Sequence, residues 1–541
     1  MISGADIIIK CLENENVDII FGYPGAAICP FYDSLLDSKI KHILVRQEQN
    51  SVHSASGYAR SIGKPGVCVA TSGPGATNLI TGIATAYTDS IPIIAITGQV
   101  RSDLLGRDVF QEADITGACE PFVKHSYLVS KTEDLPRIFK EAFHIATTGR
   151  PGPVLIDIPI DIQQNKIESF EYPKDVNIIG YKPNTKGHKV QIKKAGALIK
   201  EAKRPLICAG GGVLTSGVKL KLIAFANKTG IPVVSTMMGI GIMPSEHKQY
   251  LGMLGSHGKV PANRAMHQAD LIIVCGARLG DRAVAAPDQV TERSKIIHID
   301  IDPAEIGKNI RTTVPIVGDM KNVINLLEEE VSDYYVPQEW EDETQEWKVS
   351  CIRKPKVFEG FVEPRSFVAK FSSMLPNKSI LVADVGQNQI WCANNFKIKE
   401  GRFLTTGGMG TMGYSIPAAV GAKFARPDRE VVLVCGDGSF QMCMNELGTI
   451  AQNHLNIKII VMRNTRLGMV RELQKNLYKS RYSGIFLDDE TPNFLKIAEA
   501  YNIKSAVANS NDEAEKIAEE MLNYDGPYML VCNVSQDTPS I

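Results

Sequence analysis

Along its 541 residues the chain alternates short β-branched runs with longer stretches of helical period. In residues 1–165 the runs are "VDIIFGYPG", "KHILVRQEQ", "GVCVATSGPG", "IPIIAITGQ" and "GPVLIDIPID". The polar stretch "QQNKIESFEYPKDVN" marks a boundary, and a second set follows in 190–335: "RPLICAGGG", "IPVVSTMMG", "DLIIVCGAR" and "KIIHIDIDP". A charged, aromatic segment, "DYYVPQEWEDETQEWKVSCIRKPK", lacks strand period and predicts a linker carrying one helix. A third set fills 365–541: "SILVADVGQ", "EVVLVCGDGSF", "IKIIVMRN" and "YMLVCNVS". Apolar runs separated by helical patterns predict an α/β protein of three domains, 1–165, 190–335 and 365–541, each a doubly wound parallel sheet. The first and third sets look alike in style, which hints at duplication. Each run ends in Gly, Pro or a polar residue, at the carboxyl ends of strands where such folds bind ligands.

Composition removes several classes of function. The formal net charge of −1 provides no global basic field for nucleic acid or an anionic membrane. The longest apolar runs, such as "SIPIIAIT", are too short to span a bilayer, and the N-terminus resembles no secretory signal. Eleven cysteines are scattered without CxxC spacing, which predicts reduced thiols in the cytoplasm.

One motif carries specific chemistry. Gly436-Asp437-Gly438 follows a strand and opens a helix; alone, it is a common turn. A spacer of 24 residues then ends in a second strand and Arg463-Asn464. A strand–helix–strand unit of that length returns Asn464 beside Asp437. The carboxylate, the Asn464 amide oxygen and the Arg466 backbone carbonyl make a hard oxygen set suited to Mg²⁺ that also holds phosphate. The amides after Gly438 face the same phosphates.

The Gly-Asp-Gly motif, its spacer and the terminal Asn resemble the signature of thiamine-diphosphate enzymes. "FGYPGAAICPFYD", "ATSGPGATNLITGIATAYTDSIPIIAITGQV", "DVFQEADI", "GARLGDR", "HIDIDPAEIGKN", "MGYSIPAAVGAKFA" and "LGMVRELQ", in this order, are similar to acetohydroxyacid (acetolactate) synthase catalytic subunits. The resemblance implies a pyrimidine-binding first domain, an FAD- or nucleotide-binding middle domain and a diphosphate- and Mg²⁺-binding third domain. It implies a reaction in which pyruvate is decarboxylated and its two-carbon remainder joined to pyruvate or 2-oxobutyrate.

It also assigns residues. Glu48 matches the acid that protonates the cofactor's aminopyrimidine ring, and the small residues after it would let that ring lie close to the backbone. Tyr23, Pro24 and Gly25 match a turn beside the reacting carbon. Gln111, Phe110 and Lys124 match pocket positions, Arg282 the group that binds the acceptor carboxylate, and Met469 and Leu473 the substrate pocket. Gly386, Gln387 and Asn388 match diphosphate contacts, with Gly410, Gly436, Gly438 and Ser439 around them. Met412 matches the apolar prop under the cofactor. Arg150, Gly210, Gly211, Thr236, Met237, Gly255, His257, Gly258, Arg278, Asp300 and Asp319 match FAD contacts. The chain departs from the family pattern at Gln47, Arg101, Gly280, Asn388, Arg463 and Leu473. Another thiamine-diphosphate enzyme, such as a sulfoacetaldehyde acetyltransferase, a 2-oxoacid decarboxylase or a flavin-free catabolic acetolactate synthase, is the alternative. The family implies a dimer or tetramer with sites between subunits, and in some members a small regulatory subunit.

Overall fold

The computed structural model describes residues 1–351 and 355–541. Its framework is three six-stranded sheets. Across the first run Lys41–Leu44, Ile19–Gly22, Gly66–Ala70, Ile93–Gln99, Val154–Pro159 and His125–Leu128, every neighbour parallel. Across the third run Arg402–Leu404, Ile380–Ala383, Val431–Gly436, Ile457–Arg463, Tyr528–Asn533 and Lys504–Ala508, again parallel. Numbered along the chain, both sheets have the order 2-1-3-4-6-5, so the likeness of style extends to topology. The middle sheet, Tyr250–Met253, Val233–Ser235, Pro205–Ala209, Leu271–Cys275, Lys295–Asp300 and Val314–Val317, has the order 3-2-1-4-5-6 of dinucleotide-binding folds.

The linker helix forms as Gln338–Ser350, and it is docked: Trp340 and Trp347 are buried, and Trp340 Nε1 donates to Pro205 O at 2.9 Å. Residues 352–354 of that segment lie outside the described residues.

First and third units share one hydrophobic core, in which Val52, Ala55 and Tyr58 pack with Ala418, Ala419, Ala422 and Phe440. The contact is made by the helices Glu48–Ile62 and Ser415–Ala425. A Cβ at Gly57 would stand 2.0 Å from Ala418 O, and one at Gly421 only 1.8 Å from Ser54 O. This corrects one expectation: Ser54, Gly57 and the alanines after Glu48 are small because a second helix backbone lies against them. Helix separation follows the side chains at the contact. Gly421→Ala should therefore destabilise the protein. Alanine gains about 0.5–1 kcal/mol of helix preference, but overpacking costs about 1–3 kcal/mol, so the clash wins. A lower midpoint in denaturant unfolding is expected, and an unchanged or higher one would contradict this packing.

Candidate active site

Each sheet reverses its strand order beside its first strand, and many of the predicted residues gather at those crevices. In the third sheet the reversal lies between Ile380–Ala383 and Val431–Gly436. One pocket opens there, lined by Gly386, Gln387, Asn388, Met412, Gly436, Asp437, Gly438, Ser439, Asn464 and Arg466 among others. The Asp437 carboxylate is buried and accepts from three backbone amides: Thr465 at 2.5 Å and Asn464 at 3.1 Å on one oxygen, Gly438 at 3.0 Å on the other. Burial pushes its pKa up to about 6 against the pull of those amides. Asn464 Oδ1 accepts from Arg466 N at 3.0 Å, and Asn464 Nδ2 donates to Gln387 Oε1 at 3.2 Å. Gln387 in turn donates to Glu472 and to Thr538 O. Asp437, Asn464 and Arg466 line this one pocket, and a carboxylate with amide and backbone carbonyl oxygens is the donor set of a hard divalent cation that takes its remaining ligands from phosphate and water.

Met412 reaches this pocket on a loop held from three directions. Asp384, buried at a strand end, accepts from Gly413 N at 3.0 Å and Ser415 N at 2.8 Å. Thr85 bonds Thr411 at 2.7 Å, and Asp89 accepts from Gly408 N at 2.8 Å, both from the first unit. Gly410, with φ of +66°, sits on the same loop.

In the first sheet the reversal lies between Ile19–Gly22 and Gly66–Ala70. Tyr23, Pro24 and Gly25 leave the first of these strands, and Gly25 passes so close to Thr71 that a Cβ would stand 2.5 Å from it. Glu48 opens its helix, half-buried, and accepts from Asn78 Nδ2 at 2.9 Å. Gln111 packs against Gly73 with φ of +59°, while Phe110 beside it is 86% exposed. Lys124, matched to a pocket position, turns its amine to neighbouring oxygens: it donates to Ile145 O, to Thr148 O at 2.7 Å and to Tyr181 Oη at 2.9 Å. It caps the end of the helix Leu135–Thr147, and burial lowers its pKa to about 8.

The middle unit's residues also stand at strand ends. Gly210 and Gly211 open a short helix beside Gly276, and Thr236 and Met237 follow Val233–Ser235. Asp300 ends its strand, burial raising its pKa to about 6, and Arg278 follows the strand Leu271–Cys275. Two members already have structural partners. Arg150 pairs with Glu305 at 2.7 Å across the units, and Asp319 caps the helix Met320–Glu330 through Lys321 N. Gly255, His257 and Gly258 form a turn tied to the third unit by Asn394 Nδ2 donating to His257 O at 2.8 Å. That turn holds the neighbouring loop, since Ser256 N donates to Arg282 O at 3.0 Å. The Arg282 side chain is exposed and pairs only loosely with Asp281, at 3.7 Å. Met469 and Leu473 lie on the helix Gly468–Leu477, Leu473 52% exposed.

The sequence reading missed Asp384, Asn78, Glu446 and Glu472. Asn78 stood within a recognised run, and Asp384 in a recognised strand end; nothing local marked either as a partner.

Two cofactor-type crevices in sheets of matching order, an acid at one and a metal-type oxygen set at the other, define the class: an enzyme fold built to hold thiamine diphosphate. The chain matches the thiamine pyrophosphate enzyme N-terminal TPP binding domain at residues 2–118, the central domain at 192–327 and the C-terminal TPP binding domain at 384–532. It is 47% identical to a probable acetolactate synthase large subunit of Methanocaldococcus jannaschii, over 97% of this chain and 91% of the relative. It is 44% identical to the acetolactate synthase large subunit of Haemophilus influenzae, over 96% and 92%. With an acetolactate synthase of Arthrospira platensis it shares 44% identity, over 99% and 95%. The chain belongs to the acetolactate synthase large-subunit family of thiamine pyrophosphate enzymes.

Proposed function

We propose that this chain is the catalytic subunit of an acetolactate synthase. It decarboxylates pyruvate and joins the two-carbon remainder to a second 2-oxoacid, pyruvate or 2-oxobutyrate, at the start of branched-chain amino acid synthesis. The observation that carries this reading is the pocket in which Asp437, Asn464 and Arg466 meet Gly386–Asn388 and Met412. Bound thiamine diphosphate supplies a nucleophilic carbon and a sink for the electron pair freed by decarboxylation. Asp437 and Asn464 side chains and the Arg466 carbonyl would hold Mg²⁺, and the amides at Gly438 and Ser439 with Gly386, Gln387 and Asn388 would take the diphosphate. Met412 would support the cofactor in this pocket. Glu48 would hold the proton that the aminopyrimidine ring nitrogen takes. The exposed Arg282 guanidinium takes the acceptor carboxylate, a bidentate partner for a planar anion.

The pocket's lining comes wholly from residues 385–468, while Glu48 stands among residues 71–78 of the same chain. A second copy completes each site, so the working unit is at least a dimer. Its contact would also cover Tyr23, Phe110 and Met442, which are exposed in the single chain. The names of two relatives speak of a large subunit, and a small regulatory partner is part of this reading. The middle sheet's crevice fits FAD: Gly210, Gly211, Thr236, Arg278 and Asp300 all stand at carboxyl strand ends beside its reversal, where dinucleotides bind. Its role is structural, without redox turnover. All eleven cysteines are free, as suits a reducing cytoplasm, and among the described residues no helix is long and apolar enough to cross a membrane.

The test is acetolactate formation from pyruvate alone, with ThDP, Mg²⁺ and FAD, alongside an absorbance spectrum of the purified protein. Acetaldehyde or acetyl phosphate as the main product would defeat the proposal; a colourless, fully active protein would remove FAD from it.

Leu473 bears on acceptor choice. One methylene in an apolar pocket discriminates by about 1–3 kcal/mol, and leucine offers a smaller face than the indole usual in the family. Modest preference for 2-oxobutyrate is expected in competition assays, rising in Leu473→Trp. Strong preference in the wild type, unchanged by the substitution, would place Leu473 outside the acceptor pocket.

A further inference from the structure

Glu446 is a buried carboxylate outside every motif used so far, at the end of the short helical turn Met444–Glu446 in the third unit. Its oxygens reach into the first unit. Oε1 accepts from the backbone amide of Arg46 at 2.6 Å and from Asn50 Nδ2 at 3.0 Å. Oε2 lies 2.6 Å from Thr449 Oγ1, which also stands 3.2 Å from Leu44 O. The Arg46 guanidinium runs back along the same seam, donating to Leu44 O at 2.9 Å, Gly448 O at 3.2 Å and Gln452 Oε1 at 2.7 Å.

Glu48 lies midway between the two residues that Oε1 holds, two positions from each. The Gln47 side chain makes no cap bond at the start of the Glu48 helix. The start of that helix is therefore set by a carboxylate from the third unit of the same chain. Burying a carboxylate is costly unless donors surround it, so this arrangement tolerates little displacement of Arg46 or Asn50.

We propose that Glu446 is a positioning residue for the reaction: by holding Arg46 N and Asn50 Nδ2 it fixes where Glu48 points. The inference rests on the reading of Glu48 given above. Glu446 follows Asp437 by nine positions on the segment that leaves the metal-type site. In the proposed dimer, a chain's own Asp437 segment thus sets the acid it offers to its partner's cofactor.

The test compares Glu446→Ala, Glu446→Gln and Asn50→Ala as full-length protein. In Glu446→Ala, turnover should fall by about 10²-fold, the scale of a misplacement near 1 Å, with little change in KM or in ThDP and Mg²⁺ affinity. Glu446→Gln keeps an acceptor oxygen for Arg46 and Asn50, and its amide can face Thr449 Oγ1 while Thr449 donates to Leu44 O. It should recover most of the rate. A second readout does not depend on the cofactor: amide hydrogen exchange of the cofactor-free protein should quicken over residues 44–52 in Glu446→Ala and stay at wild-type level over 437–443. If Glu446→Ala does not fold, Asn50→Ala removes one donor without stranding the carboxylate, and it should show a smaller kcat loss with the same local exchange change. Wild-type kcat and wild-type exchange over 44–52 in Glu446→Ala, or in Asn50→Ala if that is the variant that folds, would overturn the proposal. So would Glu446→Gln behaving like Glu446→Ala. A wild type that fails to bind ThDP would instead defeat the functional reading, and the exchange comparison would still decide whether Glu446 holds the loop.

Discussion

Glu48→Gln is expected to lower acetolactate formation by about 10²–10⁴-fold, the range of a general acid–base contribution, with fold and cofactor binding intact. Glutamine has the same shape, and its side-chain oxygen still accepts from Asn78, the partner that Glu48 holds at 2.9 Å. It cannot deliver a proton to the cofactor ring. The helix also survives the change, because its start is tied by Arg46 and Asn50 to Glu446 rather than by Glu48 itself. Steady-state kinetics on the holoenzyme, with ThDP affinity measured separately, separate the two effects. Near-normal turnover would remove Glu48 from the mechanism.

Asp437→Asn should have a comparably large effect by another route. The wild-type carboxylate accepts from three amides and still faces the pocket. An asparagine there has one accepting oxygen and presents N–H donors to amides that are themselves donors. It also removes the only charged member of the oxygen set proposed for Mg²⁺. Metal binding, and ThDP binding with it, should fall below detection at ordinary concentrations. A ligand at a hundred times its Kd stabilises a protein by about 2.7 kcal/mol. Wild-type protein should therefore melt several degrees higher with ThDP and Mg²⁺, and Asp437→Asn should show no such rise. A full rise in the variant would exclude Asp437 as a metal ligand.

The two substitutions act on residues that are far apart in sequence and were legible for different reasons. Asp437 and Asn464 belong to a strand–helix–strand unit whose spacing returns the chain to its starting point, so their meeting follows from local geometry. Glu48 was legible only through resemblance, since a helix-opening acid is ordinary. Lys124 shows the limit of that route. Matching a pocket position assigned it to chemistry, while the fold turns its amine toward the carbonyls of Ile145 and Thr148.

The strands divide along the same physical line. Pro205–Ala209, Leu271–Cys275 and Val431–Gly436 lie inside their sheets with both faces covered, and they read as unbroken apolar runs. His125–Leu128 and Lys504–Ala508 sit at sheet edges with partly exposed side chains, and their composition carries no comparable signal. The sequence alone thus determined the three large parallel sheets and the spacing that brings Asp437 beside Asn464, because burial and short-range spacing leave direct traces in residue order. Strand order, the close crossing at Gly57 and Gly421, and the hold of Glu446 on the loop before Glu48 were decided by the tertiary structure. The two ends of that last contact are 400 residues apart, and no local pattern records a partner at such a distance.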